Sequence, residues 1–437
     1  VRSSRTLSQL LLILSAAWLS AEEPQRPPSE RLVAAERSAD VRHLLDEVLD
    51  RNPGIAAARA EADAATLQAP QVRSLPDPTA AVTLYLQTPE TRVGPQVAMA
   101  NVSQRFPWFG TLGLREQAAL EQAAAAVARV ETKRLDVVTE ARRLAIELAF
   151  LDRREDLVRQ DHAALQHFEE LARSRYATGA GLTQAVIKLQ AEITAADSRL
   201  LDIDVQRSGL RARLNALRDR PADAPLPTFE LVQPAPITLD ANTLVGDAHT
   251  QRPEIAGANA RIHAAERAIE LARKGFRPTV TAGLLYTVVG TRSDADPAGN
   301  GKDVLGVTGG LNLPIRRQPR EAAVEQAVAT RLAAEEDLRG VSARIEADVG
   351  DLVRRLPLIA ERSRLFDEVL TVQAQEAVDS AVSAYTVGRV GALDLLDAER
   401  VQLEVSVAAA RAHADIAVAI VDLERAVGGP VSPGGSS

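Results

Sequence analysis

The apolar positions of this chain change period several times, and each change marks an element. From Ser38-Ala39-Asp40, where Ser38 or Asp40 can cap a helix, Leu44, Leu45, Val48 and Leu49 form a short helical stripe. Asn52-Pro53 interrupts it, an Ala-rich helical stretch resumes over 55–69, and Leu75-Pro76-Asp77-Pro78 ends the helical region. The period then drops from 3.6 to 2. Ala80, Val82, Leu84 and Leu86 share one face, and Ala81, Thr83, Tyr85 and Gln87 the other. This predicts strands over 79–88 and 96–106, joined by a turn-rich stretch and closed by Pro107-Trp108-Phe109-Gly110.

A rod follows. Residues 114–178 run for sixty-five positions without Gly or Pro. A predicted helix over 111–178 would span on the order of 100 Å, far beyond the globular norm. Thr178-Gly179-Ala180-Gly181 ends it, and a second helix over 182–220 returns antiparallel to it.

The plan then repeats. A Pro-rich connector, 221–237, separates a first unit (38–220) from a second (238–428). Asn52-Pro53-Gly54-Ile55 is answered by Arg252-Pro253-Glu254-Ile255, and period-2 segments return over 279–290 and 304–314. A long helix over 320–387, with Gly340, Gly350 and Pro357 inside it, ends at Tyr385-Thr386-Val387-Gly388 as the first ends at Tyr176-Ala177-Thr178-Gly179. A closing helix over 392–427 leads to a Gly/Pro/Ser tail, 429–437, expected to be disordered.

Strands of about ten residues cross a bilayer when tilted, and one face apolar with the other Thr, Gln, Gly and Asn is the alternation of a membrane barrel. Four strands cannot close a barrel, and an open edge in lipid is prohibitive. Two chains would supply eight strands, a number filled by side chains, and three would supply twelve with room for a pore. The trimer is preferred. A small soluble sheet covering a helical bundle would show the same alternation. Phe106, Trp108 and Phe109 fall at a strand base, as interfacial aromatics or as a plug where strands meet helices.

Composition fits this outline. Of 437 residues 46% are hydrophobic but only 3% aromatic, much of the apolar share being Ala, which suits long helices in close contact. The net charge of −8, without a dominant Lys/Arg block, argues against a nucleic-acid partner. Cysteine is absent, which removes disulfides, thiolate metal sites, Cys nucleophiles and a lipidated N-terminal Cys. Residues 1–21 read as an export signal: Arg2 and Arg5 precede an apolar run, and Leu19-Ser20-Ala21 supplies a small-residue cleavage site. An amphipathic N-terminal helix is the alternative, and 22–37 is an extended lead. The six histidines are scattered and Met99 is the only methionine, so no metal or cofactor site is expected. No nucleotide loop or nucleophile elbow occurs, and the acidic residues are expected on solvated helical surfaces, so the chain does not read as an enzyme.

The duplicated order of helix, two strands, long helix and helix resembles the outer membrane factor family, the TolC-like channels of efflux and secretion systems. The likeness spans the whole chain after the signal. Local motifs share it: Arg175-Tyr176-Ala177-Thr178-Gly179 with Leu189-Gln190-Ala191, and Tyr385-Thr386-Val387-Gly388 with Leu393-Asp394-Leu395-Leu396-Asp397-Ala398. Leu75-Pro76-Asp77-Pro78 and Ser103-Gln104-Arg105-Phe106-Pro107-Trp108-Phe109-Gly110 look more like the heavy-metal-efflux branch than like the founding member. The resemblance implies a mainly α fold with a membrane β-barrel. It implies a homotrimer with a twelve-stranded outer-membrane barrel, a long periplasmic helical tunnel, and partnership with a periplasmic adaptor and an RND-type inner-membrane pump. Drugs and heavy-metal cations are the substrates it implies. It places the tip turns at Tyr176, Gly179, Gly181, Tyr385, Gly388 and Arg389, and it matches Asp394 and Asp397 to aspartates at the constriction. Two departures stand out. Gln184-Ala185-Val186 occupies a turn that is often acidic in the family, and Arg389 lies one position from the family's basic latch residue, where Val390 stands. The competing reading is a periplasmic coiled-coil structural or adaptor protein without channel activity.

Overall fold

The computed structural model describes residues 39–179, 181–231 and 239–431. The signal over 1–21, the extended lead over 22–37, most of the connector's second half, Ala180 and the end of the tail lie outside the described residues.

Helices α1 (Ala39–Arg51) and α2 (Pro53–Arg73) open the chain, and the Asn52 side chain caps α2 by accepting from the backbone N–H of Ile55 at 3.1 Å. Strands β1 (Thr79–Leu84), the two-residue β2 (Glu90–Thr91) and β3 (Gly94–Phe106) lead into α3 (Thr111–Ala177), which returns through α4 (Thr183–Leu217). The second unit repeats the plan with α5 (Ala241–Gln251), α6 (Pro253–Lys274), β4 (Thr279–Val289), β5 (Val304–Asn312), α7 (Gln318–Leu365), α8 (Thr371–Thr386) and α9 (Ala392–Val427).

Beyond shifts of a few residues at element ends, two departures from the sequence expectation stand out. The first strand stops at Leu84 instead of running to 88, because Leu86 and its neighbours enter a turn and β2 pairs separately with the start of β3. The helix expected over 320–387 is interrupted by a π-turn at Phe366–Leu370. Neither the glycines nor Pro357 breaks it. The π-turn instead lies where the Asp367 carboxylate meets Nε2 of His413 on α9 at 2.8 Å.

The four longer strands form one antiparallel sheet in the order β1-β3-β4-β5. Register decides its character, since partners in an antiparallel pair share a face. Val82 pairs with Ala100, Ala100 with Tyr286, and Tyr286 with Leu305. Ala80, Val102, Leu284 and Val307 form the next row on the same face. The opposite face carries rows such as Thr83, Met99, Thr287 and Val304, and Thr79, Ser103, Gly283 and Thr308. Among the described residues nothing covers the apolar face: Val82 is 72% exposed and Val307 83%.

Helices pack in two rows. Beside the sheet, α2 packs on α3, α3 on α6, and α6 on α7; farther out, α4 packs on α3, α3 on α9, and α9 on α8. The largest apolar cluster runs along α3, α4, α8 and α9 through Phe150, Leu165, Leu189, Ile203 and Leu395. Ion pairs stitch α3 to α9: Arg411 grips Glu147 through two nitrogens at 2.7 and 2.8 Å, and Arg425 reaches Asp136 at 2.7 Å. Arg142 and Glu424, both nearly buried, meet at 2.6 Å.

Candidate functional site

The two glycine turns close the far ends of the helical hairpins. Gly179 and Gly388 have φ of 74° and 78°, the left-handed backbone that lets a long helix stop and reverse without strain. Gly181 lies so close to the first turn that an added Cβ would stand 2.9 Å from the Tyr176 nitrogen.

Among the described residues, one polar side chain bridges the two turns. The Arg175 guanidinium lies 4.9 Å from the centre of the Tyr385 ring and donates to the Tyr385 carbonyl. Tyr385 is buried, whereas its first-unit counterpart Tyr176 is 51% exposed. Arg389 is exposed, and its backbone N–H donates to the Ala384 carbonyl at 2.9 Å. The cation that ties the two tips within the chain is therefore Arg175. The repeated Tyr-x-Thr/Val-Gly motif pointed near it, but only the crossing of α3 over the second tip singles it out.

Asp394 and Asp397 lie on the first turns of α9, both exposed. Asp394 accepts the Gly391 backbone N–H at 2.9 Å, so it also fixes the start of the helix. Asp397, three residues on, has no hydrogen-bond or ion-pair partner among the described residues. Both carboxylates therefore present charge outward from the same end of the same helix.

Two residues farther along, the expectation of solvated acids fails. Glu399 faces inward and is buried, and burial pushes its carboxyl up to about 7, with the nearby Asp161 charge acting in the same direction. Asp161 on α3 is also buried and held above its ordinary value by desolvation, which outweighs Arg199 at 3.7 Å. Sequence spacing could not distinguish Glu399 from its exposed neighbours, because its burial comes from α3 crossing α9.

At the other end of α3, the Trp108 and Phe109 rings meet edge to face at 5.9 Å. Arg277 lies 5.8 Å from the centre of the Trp108 ring, and Lys274 donates to the Phe109 carbonyl at 3.3 Å. Phe109 is 84% exposed and Phe106 40%, so the trio forms a rim at the sheet base and does not plug it within one chain. Among the described residues no helix is long and apolar enough to cross a membrane, and no cluster of three or more potential metal ligands occurs.

The family model for outer membrane efflux proteins matches residues 44–218 and 244–429. Among solved structures, the outer-membrane channel OprN superposes with a TM-score of 0.77 at 17% identity, over 90% of this chain and 91% of that one. The outer membrane protein VceC of Vibrio cholerae gives 0.74 at 22% identity, over 91% of this chain and 100% of its own. The CmeC outer membrane channel of Campylobacter jejuni gives 0.75 at 16% identity, over 91% and 87%. At these identities the likeness is one of fold. The comparison with curated proteins returns no match.

Proposed function

Because the chain belongs to the outer membrane efflux protein family and has its place in the outer membrane, we propose that three copies close a twelve-stranded barrel continuous with a periplasmic helical tunnel. The observation that carries this reading is the sheet itself: one apolar face, one face of Thr, Ser, Gly and Asn, and two edges, β1 and β5, left open. An open edge in lipid leaves backbone donors and acceptors unpaired at several kcal/mol each, so the sheet must be completed by further copies. Eight strands from two copies would be filled by side chains, whereas twelve leave a passage. The duct performs no catalytic step. An inner-membrane pump of the RND type, coupled through a periplasmic adaptor, supplies the work, and the substrate, a heavy-metal cation or a drug, passes through without tight coordination.

The periplasmic tips form the gate. Under threefold symmetry Asp394 and Asp397 become stacked rings of carboxylates at the narrow end, which repel anions and concentrate cations. The turns at Gly179 and Gly388 set where the helices stop, and the Arg175–Tyr385 contact holds the two hairpins of a chain together at that point. Opening the tip requires that contact to loosen or to move as a unit.

Purified protein reconstituted in planar bilayers tests the reading. The expected result is a conducting pore selective for cations. Asp397→Asn, which leaves the Asp394 cap intact, is expected to reduce cation selectivity and block by multivalent cations, and Asp394→Asn with Asp397→Asn to reduce both further. Absence of any channel from folded, membrane-extracted protein would defeat the duct. Unchanged selectivity in the double variant would defeat the ring while leaving the duct standing.

A further inference from the structure

The cations at the base of the sheet have no carboxylate to serve. Thr279 pairs with Asn312, so the segment entering β4 and the segment leaving β5 run side by side away from the sheet. They carry Lys274, Arg277, Arg316, Arg317 and Arg320, and none of the five makes an ion pair among the described residues. Farther along the helices, by contrast, Arg411, Arg425 and Arg207 each hold two or more carboxylates.

A cleft of about 900 Å³ opens beside two of these cations, Arg316 and Arg320, between the end of α6 and the start of α7. Its lining is largely apolar, from Leu271, Ala272, Leu313, Ile315 and Ala323, with Arg316 and Arg320 at the rim. Leu313 and Ile315 are 61% and 80% exposed. The cleft also continues a surface already described. Leu311 pairs with Val280 on the apolar face of the sheet, and Leu313, two residues farther along, passes that face into the cleft. Trp108, under Arg277, sits at the same level, where an aromatic ring marks the boundary between hydrocarbon and headgroups.

We propose that this cleft and its cations bind an anionic phospholipid of the leaflet nearer the tunnel, with an acyl chain against Leu313 and Ile315 and the headgroup phosphate at Arg316, with Arg317 next to it in the chain. The inference rests on the reading that the apolar face of the sheet meets lipid. Arg320 is held by the Gly275 and Arg316 carbonyls and shapes the rim. Arg316 and Arg317 are exposed at headgroup height, where each basic residue adds attraction to an anionic surface, while Lys274 and Arg277 lie against Phe109 and Trp108 and add to the field from the segment entering β4. The groove thus converts the end of a nonspecific apolar belt into a site that discriminates headgroup charge.

The test uses full-length protein in nanodiscs of equal phosphatidylglycerol and phosphatidylethanolamine, with retained lipid read by native mass spectrometry. Phosphatidylglycerol is expected to be enriched on the protein. Arg316→Gln with Arg317→Gln is expected to lower that enrichment, by roughly fivefold for each cation removed, while bilayer conductance stays at the parent level. Equal retention of the two lipids by the parent, or an enrichment that survives the double substitution, would overturn the site. Retention of no lipid by a conducting oligomer would also overturn it and would point to a second copy as the occupant of the cleft. A protein that neither inserts nor conducts would instead overturn the membrane reading on which the site depends.

Discussion

The two long rods of the chain share a place in a duplicated plan and differ in how they are covered. Helix α3 is buried at intervals along its length, from Ala119 through Phe150 to Ala172, because α2, α4, α6 and α9 all pack on it. Its counterpart buries only Ile345, Val349, Leu352, Leu356 and Ser363 in α7, and Ala374, Val378 and Tyr385 in α8. Leu358, at 71% exposure, and Val369, Leu370 and Val372 lie open on that second rod. The first rod is the spine of the protomer and the second is its flank. The two rods hold equivalent places in the repeated plan, and position in the row makes one of them a core element and leaves the other exposed within the single chain. The open strand edges at β1 and β5 follow the same logic, since β5 leads directly into α7.

The sharpest way to break this comparison is to charge the flank. Leu358→Asp with Val369→Asp puts two carboxylates on the exposed side of that rod, where the proposed trimer would seat a neighbouring copy. A carboxylate buried there without a partner costs several kcal/mol, enough to abolish association at ordinary protein concentrations. Light scattering of the detergent-extracted protein is expected to report monomers. Leu120→Asp, on α3 and also exposed, is the control: α3 has helices on both sides, so the oligomer is expected to persist. Loss of assembly from Leu120→Asp alone would remove the distinction between spine and flank.

A second effect, of a few kcal/mol, probes the covered side of the spine where α3 crosses α9. Unfolded, the Glu399 carboxyl gives up its proton near its ordinary value of 4.5; folded, it holds it to about 7. Below the lower value both forms are protonated and the site is indifferent to pH. As pH rises from 4.5 to 7 the unfolded chain gains the freedom to ionise and the folded chain does not, so stability falls. Above 7 the full penalty, up to about 3 kcal/mol, is present. Asp161 on α3 adds to it, Arg199 and Glu192 on α4 act on Asp161 in opposite directions, and His162 lowers Asp161 slightly. Glu399→Gln is neutral throughout. It is expected to raise the thermal midpoint clearly at pH 8 and hardly at pH 4.5, and an equal gain at both would show that burial of the charge is not its source.

Some of this was readable in the residues and some depended on contacts that no local pattern encodes. The change of period at Ala80 and again at Val280 marks the strands because burial of one face is a property of consecutive positions. The end of β1 was not readable, since Leu86 continues the alternation into a turn. The spacing of Asp394 and Asp397 puts them on one side of a helix in any environment. The inward turn of Glu399, the π-turn opposite His413 and the reach of Arg175 to Tyr385 each require knowing which helix lies across the way. The five cations at the sheet base are spread over nearly fifty positions of sequence and come to the same end of the sheet only when β4 and β5 pair.

The smallest test asks the same question of two glycines. Gly113 in α3 and Gly340 in α7 are both helical, and a Cβ added at either would meet nothing within 4 Å in the single chain. Alanine restricts the unfolded backbone more than glycine does, so each substitution alone is worth roughly 0.5–1 kcal/mol to the folded chain. In the dissociated protomer the two gains are expected to match. In the assembled protein, denaturant midpoints are expected to keep the gain at Gly113, on the spine, and to lose part of it at Gly340, where the added methyl meets a neighbouring helix packed at close distance. Equal gains in the assembly would mean that no second copy approaches α7 at that level, and the flank would then begin farther along the rod, nearer Leu358.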